Sequence, residues 1–266
     1  MIGLILIDLD GTLVQVGNVV DPKSWDAVER AQSAGRRVAV CTGRPCSGVA
    51  QRHARRIAKD DPHIFDSGAV ICAPNGVSEY VAELPRASFE RLVLVAREER
   101  VPLEAYTAIA AFVERPDRYT LAHALVIDAE VSECDLLAIR EPIVRVQWIV
   151  PWEIWPRFAA LTRADPLLTV SVATQPDIVE TCFSSVTLKG VNKASAAALL
   201  AQRHGLALHE VAMVGDGDND VDVVAAVGLG IAMGNGTAAV RSAAGVVVAS
   251  IEAGGFADAI DSALAH

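Results

Sequence analysis

An almost uninterrupted apolar run, Met1 to Ile7, stops abruptly at Asp8-Leu9-Asp10-Gly11-Thr12, and no other stretch restricts what this chain can fold into as much. Consecutive apolar residues, without the alternation of a half-exposed strand, predict a strand covered on both faces, as in a parallel sheet between helices. Two carboxylates, a glycine and a threonine then fall at its carboxyl end. In open α/β sheets ligands bind at that edge, where the loops leaving the strands open a crevice. Asp-Gly is also a common turn pair, so this fragment alone leaves a plain turn and a site equally open.

Two later strands end in the same manner. Asp21-Pro22 starts a helix that runs over Ser24 to Ala34 and stops at Gly35; the short apolar run Val38 to Cys41 follows and leads into Thr42-Gly43-Arg44-Pro45. The next helix, Cys46 to Lys59, would aim its N-terminus at the crevice, where free N–H groups and the helix dipole favour an anion. Thr42 and the Gly43 amide suit phosphate oxygens, with a helix cap as the second reading for Thr42. Ala69 to Ala73 reads as a third strand of the parallel set. Far downstream, Val211 to Val214 ends in Gly215-Asp216-Gly217-Asp218-Asn219-Asp220. Such a concentration of hard oxygen ligands is what magnesium selects. An EF-hand is excluded, because Val227 stands where its bidentate glutamate would be. Helices at Val221–Ala226, Thr237–Ala244 and Phe256–Ala265, with strands at Leu229–Ala232 and Val246–Val248, complete the sheet.

Between Val81 and Ser185 the pattern changes. Helices are expected at Ser88–Arg100, Ser132–Ile139 and Trp152–Arg163, and strands at Ala124–Ile127, Val144–Val150, Leu168–Ala173 and Ile178–Cys182. None of these strands carries an acid-tipped end, which marks an inserted α+β unit entered near Glu83-Leu84-Pro85 and left near Ser184-Ser185. Trp148, Trp152 and Trp155 lie close together in it and read first as packing residues, with a pocket wall as the second reading. The insert has many arginines and no lysine; one or two could reach a substrate.

A net charge of −10 over 266 residues argues against a nucleic-acid partner. The opening apolar run is too short to span a membrane and lacks the features of a signal peptide. Cys41, Cys46, Cys72, Cys134 and Cys182 show no metal spacing and read as reduced thiols of a cytoplasmic protein. His53 and His63 read as surface or capping residues. Of the chain's four lysines, Lys189 and Lys193 stand just before an alanine-rich helix. A lysine near a helix start works against the dipole, so it invites another explanation, such as an ammonium beside carboxylates.

Taken together, Asp8-Leu9-Asp10-Gly11-Thr12, Thr42-Gly43-Arg44, Lys193 and the Gly215 to Asp220 loop resemble the four ordered motifs of the haloacid dehalogenase superfamily. The insert between the second and third motifs resembles the cap of subclass IIB, the Cof-type phosphatases. The resemblance implies an α/β fold: a Rossmann-like core with a mainly parallel sheet (residues 1–82 and 186–266) and an inserted α+β cap domain (83–185). It implies Asp8 as nucleophile, Asp10 as general acid and base, and Mg2+ held by Asp8, the Asp10 main chain and Asp216. Lys193 joins the catalytic set, while Thr42, Gly43, Arg44 and Asn219 bind phosphate. Asp220 supports Lys193 or a metal-bound water. Two departures stand out: Ala194 follows Lys193 where glycine is common, leaving Lys189-Gly190 as a rival alignment, and Asp218 is an extra acid. The implied activity is Mg2+-dependent hydrolysis of a small phosphorylated metabolite, foremost a sugar phosphate, through an aspartyl-phosphate, by a monomer or homodimer. A phosphosugar phosphomutase and a catalytically silent binding protein are the alternatives.

Overall fold

A computed structural model of the protein describes residues 1–173 and 180–266. The opening run forms β1 (Leu4–Ile7), followed by α1 (Pro22–Ser33), β2 (Arg37–Val40), α2 (Gly48–Ile57), β3 (His63–Phe65), β4 (Val70–Cys72) and β5 (Ser78–Val81). The inserted stretch supplies α3 (Arg86–Glu99), β6 (Leu103–Tyr106), β7 (Ala111–Val113), α4 (Arg118–Ile127), β8 (Val131–Glu133), β9 (Arg145–Pro151), α5 (Trp155–Arg163), β10 (Leu168–Ala173) and β11 (Thr181–Leu188). The chain then returns through α6 (Lys193–Arg203), β12 (Val211–Gly215), α7 (Val221–Ala226), β13 (Leu229–Ala232), α8 (Ala238–Ala243), β14 (Val246–Val247) and α9 (Gly255–Ala265).

The main sheet is parallel, in the order β14-β13-β12-β1-β2, so the acid-tipped strands β1 and β12 are direct neighbours. Both faces of β1 are covered, which is why its sequence does not alternate. Ile5 and Ile7 pack with Trp25 and Val28 of α1 and Phe256 and Ile260 of α9. Leu4 and Leu6 pack on the other face with Leu200 of α6 and Val223 of α7. Each such side chain, fully removed from water, contributes about 1.5–3 kcal/mol.

The third expected parallel strand is a correction. Val70–Cys72 lies antiparallel in a separate sheet ordered β3-β4-β5. The segment that continues beside β2 is β3, through a parallel bridge from Cys41 to Ile64. Its first residue, His63, is fully buried rather than at the surface. The Val40 N–H donates to His63 Nδ1 at 2.9 Å, and Nε2 lies 2.9 Å from the Ala58 carbonyl. Burial pushes this imidazole down to about 4. The cysteines are free, and among them Cys134 alone is partly exposed.

In the insert, six strands in the order β10-β11-β9-β6-β7-β8 carry α3 and α5 on one face. Strand β9 alternates: Val146, Trp148 and Val150 enter that apolar layer, while Arg145 and Gln147 point to the opposite face. Trp148 is thus a packing residue, its indole N–H donating to Thr162 Oγ1 at 3.1 Å. Three expectations need correction. Ala124–Ile127 is the end of helix α4, set by the capping box of Asp117 and Thr120. Ser132–Ile139 is not a helix; it holds the end of β8 and a single 3-10 turn at Leu136–Ala138. The strand expected over Ile178–Cys182 starts, within the described residues, at Thr181, and Ile178 and Val179 lie outside them; the strand runs on past Ser185 to Leu188. No helix among the described residues is long and apolar enough to cross a membrane.

Candidate active site

The parallel register of β1 and β12 brings Asp8 and Asp216 to one edge, and α6 adds Lys193 from the side. Gly11 has φ +75°, and any side chain there would collide with the Asp216 carboxylate; the Asp-Gly turn is therefore required for the two loops to meet. Thr12 is buried and donates to Asp216 Oδ1 at 3.3 Å. Asn192 caps α6 by accepting from the Ser195 N–H, which fixes the helix start and points Lys193 inward. Lys193 Nζ donates to Asp8 Oδ1 at 2.7 Å and to Asp220 Oδ1 at 2.6 Å. The other Asp220 oxygen accepts the Asp216 and Gly217 N–H groups. Lys189 is exposed, so the geometry selects Lys193 as the lysine of the site.

Burial disfavours charge on Lys193, but Asp220 and Asp8 outweigh it and hold the ammonium above its ordinary range. Burial raises the Asp8 carboxyl well above its usual value, with Lys193 opposing and the neighbouring acids adding to it. Asp216 is pushed up to about 7, by burial and then by Asp220. Asp8, Asp216 and Asp220 place one oxygen each within 4.8 Å of one another. Crowded hard oxygens whose charges repel are a donor set that fits a magnesium-type cation. Because Asp220 is committed to Lys193 and two amides, Asp8 and Asp216 are the carboxylates left to hold it. Asp218, the extra acid, accepts from Thr237 Oγ1 at 2.6 Å and stands outside this cluster.

The second loop departs from expectation in two respects. Arg44 does not stand free for phosphate: it grips Asp10 with two hydrogen bonds, Nε to Oδ2 at 2.8 Å and Nη2 to Oδ1 at 2.5 Å, and donates also to Asn18 and the Val126 carbonyl. The N-terminus of α2 also meets another helix. The carbonyls of Ile127 and Asp128, at the C-terminal end of α4, abut Gly48, so a helix end of opposite partial charge already lies against it. Thr42 is buried behind the loop, its Oγ1 accepting the Arg44 N–H at 3.1 Å. Gly43 and Asn219 face a cavity of about 570 Å3 that also reaches Asp8, Asp10 and Asp216.

Four contributors went unread in the sequence. Asn235 donates to the Gly11 carbonyl at 2.8 Å and to Asp216 Oδ2 at 3.3 Å, tying together the two acid loops. Asp66 and Ser67 occupy consecutive left-handed conformations (φ 50° and 57°), with the Asp66 N–H on the Arg44 carbonyl and the Ser67 N–H on the Thr42 carbonyl. Such backbone strain in a non-glycine pair is a mark of functional sites. Arg145 reaches Asp66 Oδ1 from the insert at 2.9 Å. Asn235-Gly236 is by composition an ordinary turn pair; for Arg145, the alternation in β9 is the available signal.

The haloacid dehalogenase-like hydrolase family model matches residues 5–260. The chain is 26% identical over 272 residues to YxeH of Bacillus subtilis (strain 168), which carries a phosphatase name, covering 98% of this chain and 97% of that one. It is 25% identical over 276 residues to the chloroplastic endoribonuclease YBEY of Arabidopsis thaliana, covering 96% of this chain but 45% of that protein. The solved structure of BT4131, a subclass IIB sugar phosphatase, shares its fold: TM-score 0.84 at 21% identity, over 97% of this chain and 98% of that one. By the match along nearly its whole length, and by the motifs that converge on one sheet edge, the chain belongs to the haloacid dehalogenase-like hydrolases.

Proposed function

We propose that this hydrolase is a Mg2+-dependent phosphatase of a small phosphorylated metabolite, with a sugar phosphate as the expected substrate class. The observation that carries the reading is the Asp8–Lys193–Asp220 bridge, set opposite an Asp10 held by Arg44. Asp8, with one oxygen on Lys193, offers the other to phosphorus, and the P–O bond to the leaving group breaks as the aspartyl-phosphate forms. Asp10 protonates the departing alkoxide oxygen and then takes a proton from the water that cleaves the intermediate. Arg44 orients that carboxyl. Lys193, the Gly43 amide and Asn219 bear on the transferring oxygens, where preorganised donors act most strongly. The cation, held by Asp8, Asp216 and the Asp10 main chain, would offset repulsion between the anionic nucleophile and the phosphate. The insert acts as a lid that excludes bulk water. Free, mostly buried cysteines support placing the enzyme in the cytoplasm.

A phosphomutase would need a second phosphate site with spare positive charge. Among the described residues of the insert, Arg145 is the arginine lining the cavity, and Asp66 already offsets its charge. Hydrolysis is therefore favoured. The test is phosphate release from sugar phosphates, nucleotides and p-nitrophenyl phosphate, with magnesium and with chelator. Magnesium-dependent release supports the reading. Release that persists undiminished in chelator, or none from any ester, overturns it.

A further inference from the structure

Ser67 faces the cavity that reaches Asp8 and Asp10, yet the chemistry above gives it no role. It also lines a second cavity, of about 270 Å3, which reaches Lys193 and shares Asn219 with the first. Its backbone is left-handed, φ 57° and ψ 28°, a conformation in which a residue with a side chain is strained. The surroundings hold it there. The Asp66 N–H is on the Arg44 carbonyl at 3.0 Å and the Ser67 N–H on the Thr42 carbonyl at 3.1 Å, while Arg145 ties down the Asp66 carboxylate. On the other side Gly68 (φ 99°) makes room for the Asn192 carbonyl at the start of α6, which a Cβ would meet at 2.3 Å. The turn is wedged between the Thr42–Gly43 loop and the helix that carries Lys193, and this fixes where the Ser67 hydroxyl points.

The hydroxyl points to a slot over Gly43. The φ of Gly43 is not positive, so conformation does not demand a glycine there. Packing does not demand one either: a Cβ on Gly43 would lie 3.4 Å from Ser67 Oγ and 3.7 Å from Asn219 Nδ2, both ordinary contacts. The glycine therefore leaves a space of atomic size on which two polar groups converge. Among the described residues, neither the Ser67 hydroxyl nor the Asn219 amide has a hydrogen-bond partner. Ser67 is only 8% exposed, and polar groups so enclosed are normally matched by one. Thr42, the hydroxyl expected to meet phosphate, lines neither cavity, and its Oγ1 accepts the Arg44 N–H.

We propose that Ser67 is a phosphate-binding residue: its hydroxyl and the Asn219 amide donate together to one non-bridging phosphoryl oxygen seated over Gly43. The proposal rests on the phosphatase reading and adds a donor to it. Asn219 Nδ2 can only donate, as can the Gly43 amide and the Lys193 ammonium nearby, so the atom they surround is an acceptor. A phosphoryl oxygen, without a proton of its own, meets that demand. The hydroxyl of Ser67 thus does the work that Thr42, turned behind its loop, does not. The strained turn keeps this donor in place before the substrate arrives, which is the condition under which a donor acts most strongly on developing charge.

Steady-state turnover of p-nitrophenyl phosphate and its inhibition by inorganic phosphate, both with magnesium, test the proposal. Ser67→Gly removes the hydroxyl while supplying the residue most at ease in this backbone conformation, so a loss in that variant does not come from added strain. Losing one hydrogen bond to a charged oxygen should raise the inhibition constant of phosphate, and lower kcat/KM, by about 10- to 100-fold. The magnesium concentration for half activity, at saturating ester, should stay within about twofold of wild type, because the hydroxyl does not hold the cation. Gly43→Ala fills the slot with a methyl group and should weaken phosphate by a similar factor. In that background, adding Ser67→Gly should cost less than about threefold more, since the oxygen both act on is already displaced. A change below about fivefold in Ser67→Gly, a parallel shift in the magnesium requirement, or the full factor retained on top of Gly43→Ala overturns the role of Ser67 and leaves the phosphatase reading intact. No turnover of any ester by the wild-type protein, p-nitrophenyl phosphate included, overturns both.

Discussion

Lys193 stands between two carboxylates with almost no exposure, so its loss would leave Asp8 and Asp220 facing each other unscreened. Lys193→Ala is expected to lower kcat by about a hundredfold or more, whereas Lys189→Ala should stay within about twofold of wild type, as exposed side chains distant from the chemistry do. Steady-state rates on p-nitrophenyl phosphate check both. Asp8→Asn removes the nucleophile and should cost at least about a thousandfold, with the far-ultraviolet circular dichroism unchanged. Retained turnover there would dismiss Asp8 from its role. At this scale the sequence was most legible, because acids, glycines and a lysine at strand ends have few structural reasons to recur together. Arg44 differs from its expected placement for a physical reason: a guanidinium satisfies whichever carboxylate its backbone places within reach, and here that is Asp10. Asn235 and Ser67 were missed because each is a common turn residue whose partners lie far away in the chain.

Among the elements, the meeting of α2 and α4 is the contact that joins insert to core near Asp10. Gly48 (φ 53°) gives the α4 carbonyls room to approach, and Arg52 pairs with Asp128 beside it. Gly48→Val should push α4 away, release the Val126 carbonyl from Arg44 and raise KM, with a few-fold loss in kcat, while Tm falls by only a few degrees. An unchanged KM would show that this contact does not govern closure. The β3 strand invites a second test. In the fold His63 stays neutral until the pH falls to about 4, whereas unfolded it protonates at about 6.5. Its stabilising contribution is present above about pH 6.5 and is lost as pH falls toward 4, by up to about 3 kcal/mol. Urea unfolding of wild type and His63→Gln across that window should show the smaller pH slope in the variant. These elements were the least legible ones. Three-residue strands such as β3 and β8 carry too few residues for a period to emerge, and α4, apolar from Ala122 to Ile127 apart from His123, imitates a strand until its capping box is recognised.

Across the whole molecule, the alternation of strands and helices in the core follows from covering both faces of one sheet, and that much the apolar runs dictate. How the insert docks is not a local property, since it depends on Arg145, Asp66 and Gly48 meeting across separate segments. The apolar core makes the same point. Tyr106, Ala111 and Val144 belong to the insert, yet they pack within the cluster that includes Val70, Cys72 and Ala82 of the core. Swinging the insert open would wet part of that surface. Opening would then carry a positive heat-capacity change, and its free energy would curve with temperature instead of following a straight van 't Hoff line. An insert that lifts as proposed would in that sense behave as a small unfolding reaction, its hydrophobic hold on Tyr106 and Val144 weakening on cooling.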